Sequence, residues 1–262
     1  EAVLAELRPI PPAVLGAQES ARAARHILPS DGEHTQPASI APPSEKSANA
    51  PLIEAKHLVF GYHTGIPIVQ NLILTIHRGE HTAIIGESGA GKTTLASLLL
   101  RLWEPDAGTI SYDGIPHTKL PLEASRAYFG AALQGSWLFS ASIRDNFLRL
   151  RGDIHETAIW HALETAQLAD VVRALPAGLD EPLGMNASRL SGGQRSRLLT
   201  ALALAGDAPI LLLDEPTAGL DAACGARLIT SVLADADARG ATLIVITHDL
   251  PLLNQMKQVI KL

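Results

Sequence analysis

The sequence predicts an α/β fold in which helices flank a mostly parallel sheet. Three observations predict it. Residues 86–93, Gly-Glu-Ser-Gly-Ala-Gly-Lys-Thr, fit the G-x-x-x-x-G-K-[ST] phosphate loop and stand between an apolar run and a stretch without helix breakers. Apolar runs at 209–213 and 242–247 are separated by a helical stretch, the pattern of strands covered on both faces. Residues from about 136 to 205 carry mostly helical periodicity.

Composition bounds the possibilities. At 262 residues and 27.7 kDa the chain holds one large domain or two small ones, and 47% hydrophobic residues allow a sizeable core. A net charge of −6 and a pI near 5.9 argue against a basic nucleic-acid surface, so no nucleic-acid partner is expected. The single cysteine, Cys224, cannot form an internal disulfide, which fits a reducing compartment. No run of about 18 apolar residues occurs, so nothing in this stretch reads as a membrane span. The first residue is Glu and no signal-peptide pattern follows, which suggests a piece of a longer protein.

In chain order, residues 1–28 read as short helical pieces broken by Pro9, Pro11 and Pro12, with a stripe at Ala21, Ala24 and Leu28. Residues 29–51, rich in Pro, Ser and Ala, have the composition of a linker. Alternation predicts strands over 52–60 and 68–76, then a turn at 78–80 and a strand over 81–85. The phosphate loop opens a helix over 94–103, and 108–113 reads as another strand. Residues 128–133 are an apolar stretch; helices are expected over 154–168, 169–175, 192–205 and 224–239. Internal repeats are absent.

The phosphate loop carries specific chemistry. Its glycines let backbone N–H groups curl around phosphate oxygens, and the following helix presents its positive dipole end. Lys92 would reach the β- and γ-phosphates, and the Thr93 hydroxyl would ligate Mg²⁺. Asp214 closes the apolar strand 209–213, where a carboxylate can hold Mg²⁺ through a water, and Glu215 follows it directly. Each feature has a bland reading: a glycine turn, or two acids at a strand end before Pro216.

Two further motifs set the family. Leu-Ser-Gly-Gly-Gln at 190–194 precedes Ile-Leu-Leu-Leu-Asp-Glu-Pro at 210–216 by 20 residues and follows the phosphate loop by about 100. In this order they closely resemble the ATP-binding cassette (ABC) family, over roughly residues 52–262. The resemblance implies a P-loop NTPase core with a mostly parallel sheet, an antiparallel β region at the N-terminal side, and an inserted α-helical subdomain over about 136–205. It implies ATP and Mg²⁺ as cofactors. Gly86, Glu87, Ser88, Gly89, Ala90, Gly91, Lys92, Thr93 and Thr94 would cradle the phosphates, and Tyr62 would stack on adenine. Glu215 corresponds to the general base, His248 to the switch histidine at the γ-phosphate, and Gln134 to the glutamine that touches Mg²⁺ and the attacking water. Thr93, Gln134 and Asp214 would make the metal site. Ser191, Gly192, Gly193 and Gln194 would face ATP bound to a second cassette, and Asp221 would sit in the loop crossing to it.

The segment 136–146 looks like the exporter version of the family. In exporters a membrane domain precedes the cassette in the same polypeptide, so residues 1–28 would be the end of its last helix, with 29–51 a linker. That reading puts the cassette at the cytoplasmic face of the inner (cell) membrane. Trp137 and Phe139 would then meet the membrane domain, or else belong to the core. Residues 15–27, 101–108 and 175–184 weakly resemble the bacterial heterodimeric exporter of cysteine and glutathione needed for cytochrome bd assembly. Lipid, peptide and drug exporters, a soluble cassette ATPase, and a non-hydrolysing regulatory cassette stay open. The chain departs from the family at Met185, where exporters often have Glu, and at Leu202, where Arg is usual. It also stops at Leu262, soon after the histidine, which again suggests truncation.

Overall fold

The computed structural model describes residues 51–262 except 64 and 151. The expected membrane-helix end, residues 1–28, and the expected linker, residues 29–51, lie outside the described residues except for Pro51. Two sheets organise the rest. Strands β1 (Ile53–Phe60), β2 (Val69–Ile76), β4 (Ala107–Tyr112) and β5 (Ile115–Pro116) form an antiparallel sheet in the order β2-β1-β4-β5. Strands β3 (Thr82–Ile85), β6 (Phe129–Ala132), β7 (Ile210–Asp214), β8 (Thr242–Ile246) and β9 (Gln258–Lys261) form a parallel sheet in the order β6-β7-β8-β3-β9. Both the parallel core sheet and the N-terminal antiparallel region are therefore as the sequence predicts.

The continuous apolar runs of β7 and β8 have a direct cause. Their alternate residues enter two different cores. Leu211, Leu213, Leu243 and Val245 point to one, and Ile210, Leu212, Ile244 and Ile246 to the other. A strand buried on both faces has no polar side to show. The second core also takes in α1 (Lys92–Leu99), whose Leu95, Leu98 and Leu99 are fully buried with Phe60, Ile110 and Tyr112 of the antiparallel sheet. The phosphate helix is thus gripped between the two sheets.

Between β6 and β7 the chain makes α3 (Ile143–Leu150), α4 (Glu156–Thr165), α5 (Ala169–Arg173) and α6 (Gly192–Leu204), which pack around the first core. A Cβ on Gly130 would lie 2.1 Å from the Ala203 carbonyl oxygen, so only glycine lets α6 rest directly on β6. Remaining helices are α2 (Leu122–Ala127), α7 (Ala222–Ala238) and α8 (Leu250–Leu253).

The structure differs from the sequence reading at several places, among them the unexpected short elements β5, α2 and α8. The phosphate helix ends at Leu99 rather than 103, because Arg101 turns left-handed at φ +52°. There its guanidinium bonds Glu104 and the carbonyls of His117 and Leu120. Strand β9 was not expected; its four residues alternate between partly buried and exposed and pair only with β3. Helix α3 was not expected either, and buries only Ile143, Asn146 and Phe147.

Candidate active site

The phosphate loop, Gln134, Asp214, Glu215 and His248 follow the carboxyl ends of parallel strands, where ligand sites of open α/β sheets form, whereas Tyr62 follows the antiparallel strand β1 and residues 191–194 and 221 stand at helix starts. Between Ile85 of β3 and Lys92 of α1 runs the loop 86–91. Gly89 and Gly91 sit at φ +84° and +94°, a region closed to most side chains. A Cβ on Gly91 would approach Ile68 Cγ2 to 3.1 Å, and one on Gly86 would meet the Leu262 carbonyl oxygen at 3.0 Å. Glu87 and Ser88 are exposed at the loop tip, where the Ala90 N–H donates to the Glu87 carbonyl at 3.1 Å. No side chain caps the start of α1, so its first N–H groups keep no side-chain acceptor. Lys92 Nζ donates to the carbonyl oxygens of Gly86 at 2.8 Å and Glu87 at 2.9 Å, folded over its own loop.

Asp214 is 8% exposed at the end of β7, and burial pushes its carboxyl above the usual range. The Gln134 backbone N–H, at 3.5 Å, and the Thr93 hydroxyl, at 3.2 Å, both donate to its Oδ2 and oppose that rise. A hydroxyl and a carboxylate so paired are hard oxygen donors, and a buried carboxylate gains most from a cation; this donor set fits Mg²⁺. It is the backbone of Gln134 that reaches Asp214 here.

Glu215 takes φ +50°, the left-handed region that costs a non-glycine residue energy. Its N–H donates to the Ile246 carbonyl at 2.9 Å, so β8 fixes its place. Its Oε1 lies 2.7 Å from His248 Nδ1, and the Thr247 hydroxyl donates to Oε2 at 3.5 Å. The hydrogen bond to Glu215 raises the His248 pKa above its ordinary value. Thr247 is a residue that sequence reasoning passed over as a site member. Its signal was only a hydroxyl at a strand end.

Tyr62 stands beside α1, its hydroxyl 3.3 Å from Thr94 Oγ1. The motif 190–194 starts α6. Ser191 is the N-cap: its Oγ accepts from the Gln194 N–H at 3.2 Å, while Gln194 Oε1 accepts from the Ser191 N–H at 2.9 Å. This capping box occupies both side chains, with the N–H groups of Gly192 and Gly193 at the positive end of the helix dipole. Asp221 is likewise occupied, accepting from the Cys224 N–H at 2.8 Å as N-cap of α7. A Cβ on Gly193 would fall 2.8 Å from the Gly219 carbonyl oxygen, so the signature helix and the loop before Asp221 touch within one chain. Ser196 Oγ, unmarked by any motif, ties the same two elements by donating to the Pro216 carbonyl at 3.2 Å.

An open cleft of about 510 Å³ is lined by Gln134, Trp137, Gly192, Asp214 and Glu215 among others, and by no residue of the phosphate loop. Trp137 is 79% and Phe139 47% exposed, whereas Leu138 between them is buried. Asn146 holds this segment in place, accepting from the Phe139 N–H at 2.8 Å and donating to the Ser142 carbonyl at 2.8 Å. Trp137 is therefore not a core residue.

Comparison with known proteins agrees with this geometry. The ABC transporter family matches residues 69–218. An ATP-dependent lipid A-core flippase of Neisseria meningitidis serogroup B is 44% identical over 157 residues, 60% of this chain and 25% of the relative. One from Saccharophagus degradans is 38% identical over 208 residues, 79% of this chain and 35% of the relative. A solved bacterial Atm1-family ABC exporter with ATP bound superposes with a TM-score of 0.77 at 32% identity, covering 82% of this chain and 37% of that one. The chain thus spans between a quarter and somewhat over a third of the length of these relatives. With the phosphate loop, the paired carboxylates and the signature helix all in place, the chain belongs to the ABC transporter family and carries that family's ATPase domain.

Proposed function

We propose that this chain binds and hydrolyses Mg-ATP and powers export as one cassette of a head-to-tail pair. The observation that carries the reading is the meeting of Thr93 with Asp214 and of Glu215 with His248 at the ends of β7 and β8. In this reading, residues 86–94 hold the phosphates, with Lys92 leaving its loop carbonyls for the β- and γ-oxygens. Thr93, Asp214 and Gln134 hold Mg²⁺, which supplies charge neutralisation on those oxygens. Glu215 orients and deprotonates the attacking water, and His248, hydrogen-bonded to Glu215, meets the γ-phosphate. Tyr62 stacks on adenine. Ser191, Gly192, Gly193 and Gln194 complete the partner's site, with the Asp221 loop beside them.

The wider assignment rests on the same reading. Residues 52–262 make the cassette, with a helical subdomain over about 136–205. Residues 1–28 end the last helix of a membrane domain in the same polypeptide, joined by the linker 29–51, at the cytoplasmic face of the inner membrane. No helix among the described residues is long and apolar enough to cross a membrane. Exposed Trp137 and Phe139 support docking of that membrane domain. Export of cysteine or glutathione is supported by the segments 101–108 and 175–184; lipid export is supported by the flippase names of the relatives.

The test is steady-state hydrolysis of Mg-ATP by the chain and by Glu215→Gln. Loss of the base is expected to lower turnover by ~10² to 10⁴ while ATP binding persists. Lys92→Ala should instead weaken binding. Turnover by Glu215→Gln within a few-fold of wild type would remove that residue from the role.

A further inference from the structure

The segment that leaves the phosphate helix, residues 100–106, does more than connect it to β4. Trp103 lies on this segment, and its ring centroid is 5.5 Å from that of Tyr62 with the planes at 81°. Phe60 contacts the same tyrosine at 5.2 Å and 86°. Neither ring lies flat on Tyr62, so neither takes the place of a parallel stacking partner, while together they limit its tilt and swing. The Tyr62 hydroxyl meets Thr94 Oγ1 at 3.3 Å, which holds the far end of the ring.

The supports are themselves fixed. Asp106 Oδ2 accepts from the Gly61 N–H at 3.0 Å, and the Asp106 N–H donates to the Val59 carbonyl at 2.8 Å, tying the two segments together. In the same segment, Glu104 bonds Arg101 Nε at 2.7 Å and His117 Nε2 at 2.6 Å. His117 is 2% exposed, and its Nδ1 donates to the Ile110 carbonyl at 2.8 Å. A stacking surface fixed before its ligand arrives loses little side-chain entropy on binding.

We propose that Trp103 is a positioning residue for the nucleotide base, acting only through the orientation of Tyr62. The proposal rests on the reading of Tyr62 as the base platform. In this proposal Trp103 makes no contact of its own with the nucleotide. Its removal should therefore be felt by a ligand with a base and not by one that presents phosphates alone.

The experiment compares equilibrium binding of Mg-ATP and Mg-tripolyphosphate in a Glu215→Gln background. Tyr62→Ala should weaken ATP about tenfold, the scale of one stacked base. Trp103→Leu should weaken ATP roughly two- to tenfold, and Trp103→Phe should restore it. Neither substitution should move tripolyphosphate, and the double variant should bind ATP no worse than Tyr62→Ala alone. Unchanged ATP affinity in Tyr62→Ala would sink the platform and the proposal with it. The proposal alone falls, and the platform stands, if Trp103→Leu is silent, adds to Tyr62→Ala, or weakens tripolyphosphate equally. Should Trp103→Leu not fold, the chain carrying Trp137→Phe and Trp160→Phe keeps Trp103 as its one tryptophan. Its emission should change with ATP and not with tripolyphosphate; emission indifferent to ATP overturns the proposal.

Discussion

Glu215 is held in an unfavourable backbone conformation, and its neighbours explain why it stays there. The strand β8 supplies a carbonyl for its N–H, and the residues just beyond that strand supply Thr247 and His248 for its carboxylate. The His248 pair has a pH signature. Because the histidine pKa is raised in the fold, the interaction is full below about 6.5, the ordinary value, and is lost as pH rises through the raised one. Following the His248 ring protons by NMR should give an elevated midpoint that falls toward the ordinary value in Glu215→Gln. An unchanged midpoint would mean that another group perturbs the histidine. The two residues were legible individually, one after a metal carboxylate and one after a strand. Their contact was not, since it depends on β7 and β8 being neighbours in register.

Among the elements, the two ends of the phosphate helix are held by different chemistry. Its start is bare backbone and glycine; its exit is a partly buried ionic network around the buried His117. The hydrogen bond from His117 is the chief force holding the Glu104 carboxyl down at about 2, so the network adds stability above about 4.5 and loses it as pH falls toward 2. Urea unfolding at pH 5 and pH 3 should therefore differ less in Glu104→Gln than in wild type. Equal differences would remove Glu104 from that role. The signature helix offers a second check. Ser191→Ala removes the N-cap hydroxyl and should cost about 1 kcal/mol in unfolding free energy. No cost in urea melts would mean that the capping box adds nothing. Legibility followed burial. Strands β7 and β8 announce themselves because both faces are covered, whereas β9 shows half its residues to solvent and pairs on one side only. The early stop of α1 had no local signal: Leu102 and Trp103 are acceptable in a helix, and the turn at Arg101 is imposed by carbonyls that arrive from 16 to 19 residues further on.

At the scale of the molecule, function depends on surfaces that face outward. Trp137 is so exposed that Trp137→Ala should shift unfolding free energy by no more than about 0.5 kcal/mol, the range for surface changes. Transport by the full polypeptide should nevertheless fall far more than ATP binding by the cassette. A large drop in melting temperature of the isolated domain would return Trp137 to the core. The proposed pairing of cassettes predicts a second test: the ATPase rate should show a second-order dependence on chain concentration. A strictly linear rise would make the pair unnecessary for hydrolysis.

The cleft beside Glu215 includes the start of the signature helix and excludes the phosphate loop. In the proposed head-to-tail pair, a damaged loop and a damaged signature in different chains would fall in the same composite site. Chains carrying Lys92→Ala, mixed with chains carrying a bulky substitution at Gly192, would assemble mixed pairs in which one composite site is whole. Identical pairs of either variant would have none. Complementation between two dead alleles, absent when both lesions share one chain, is what the proposed pair entails.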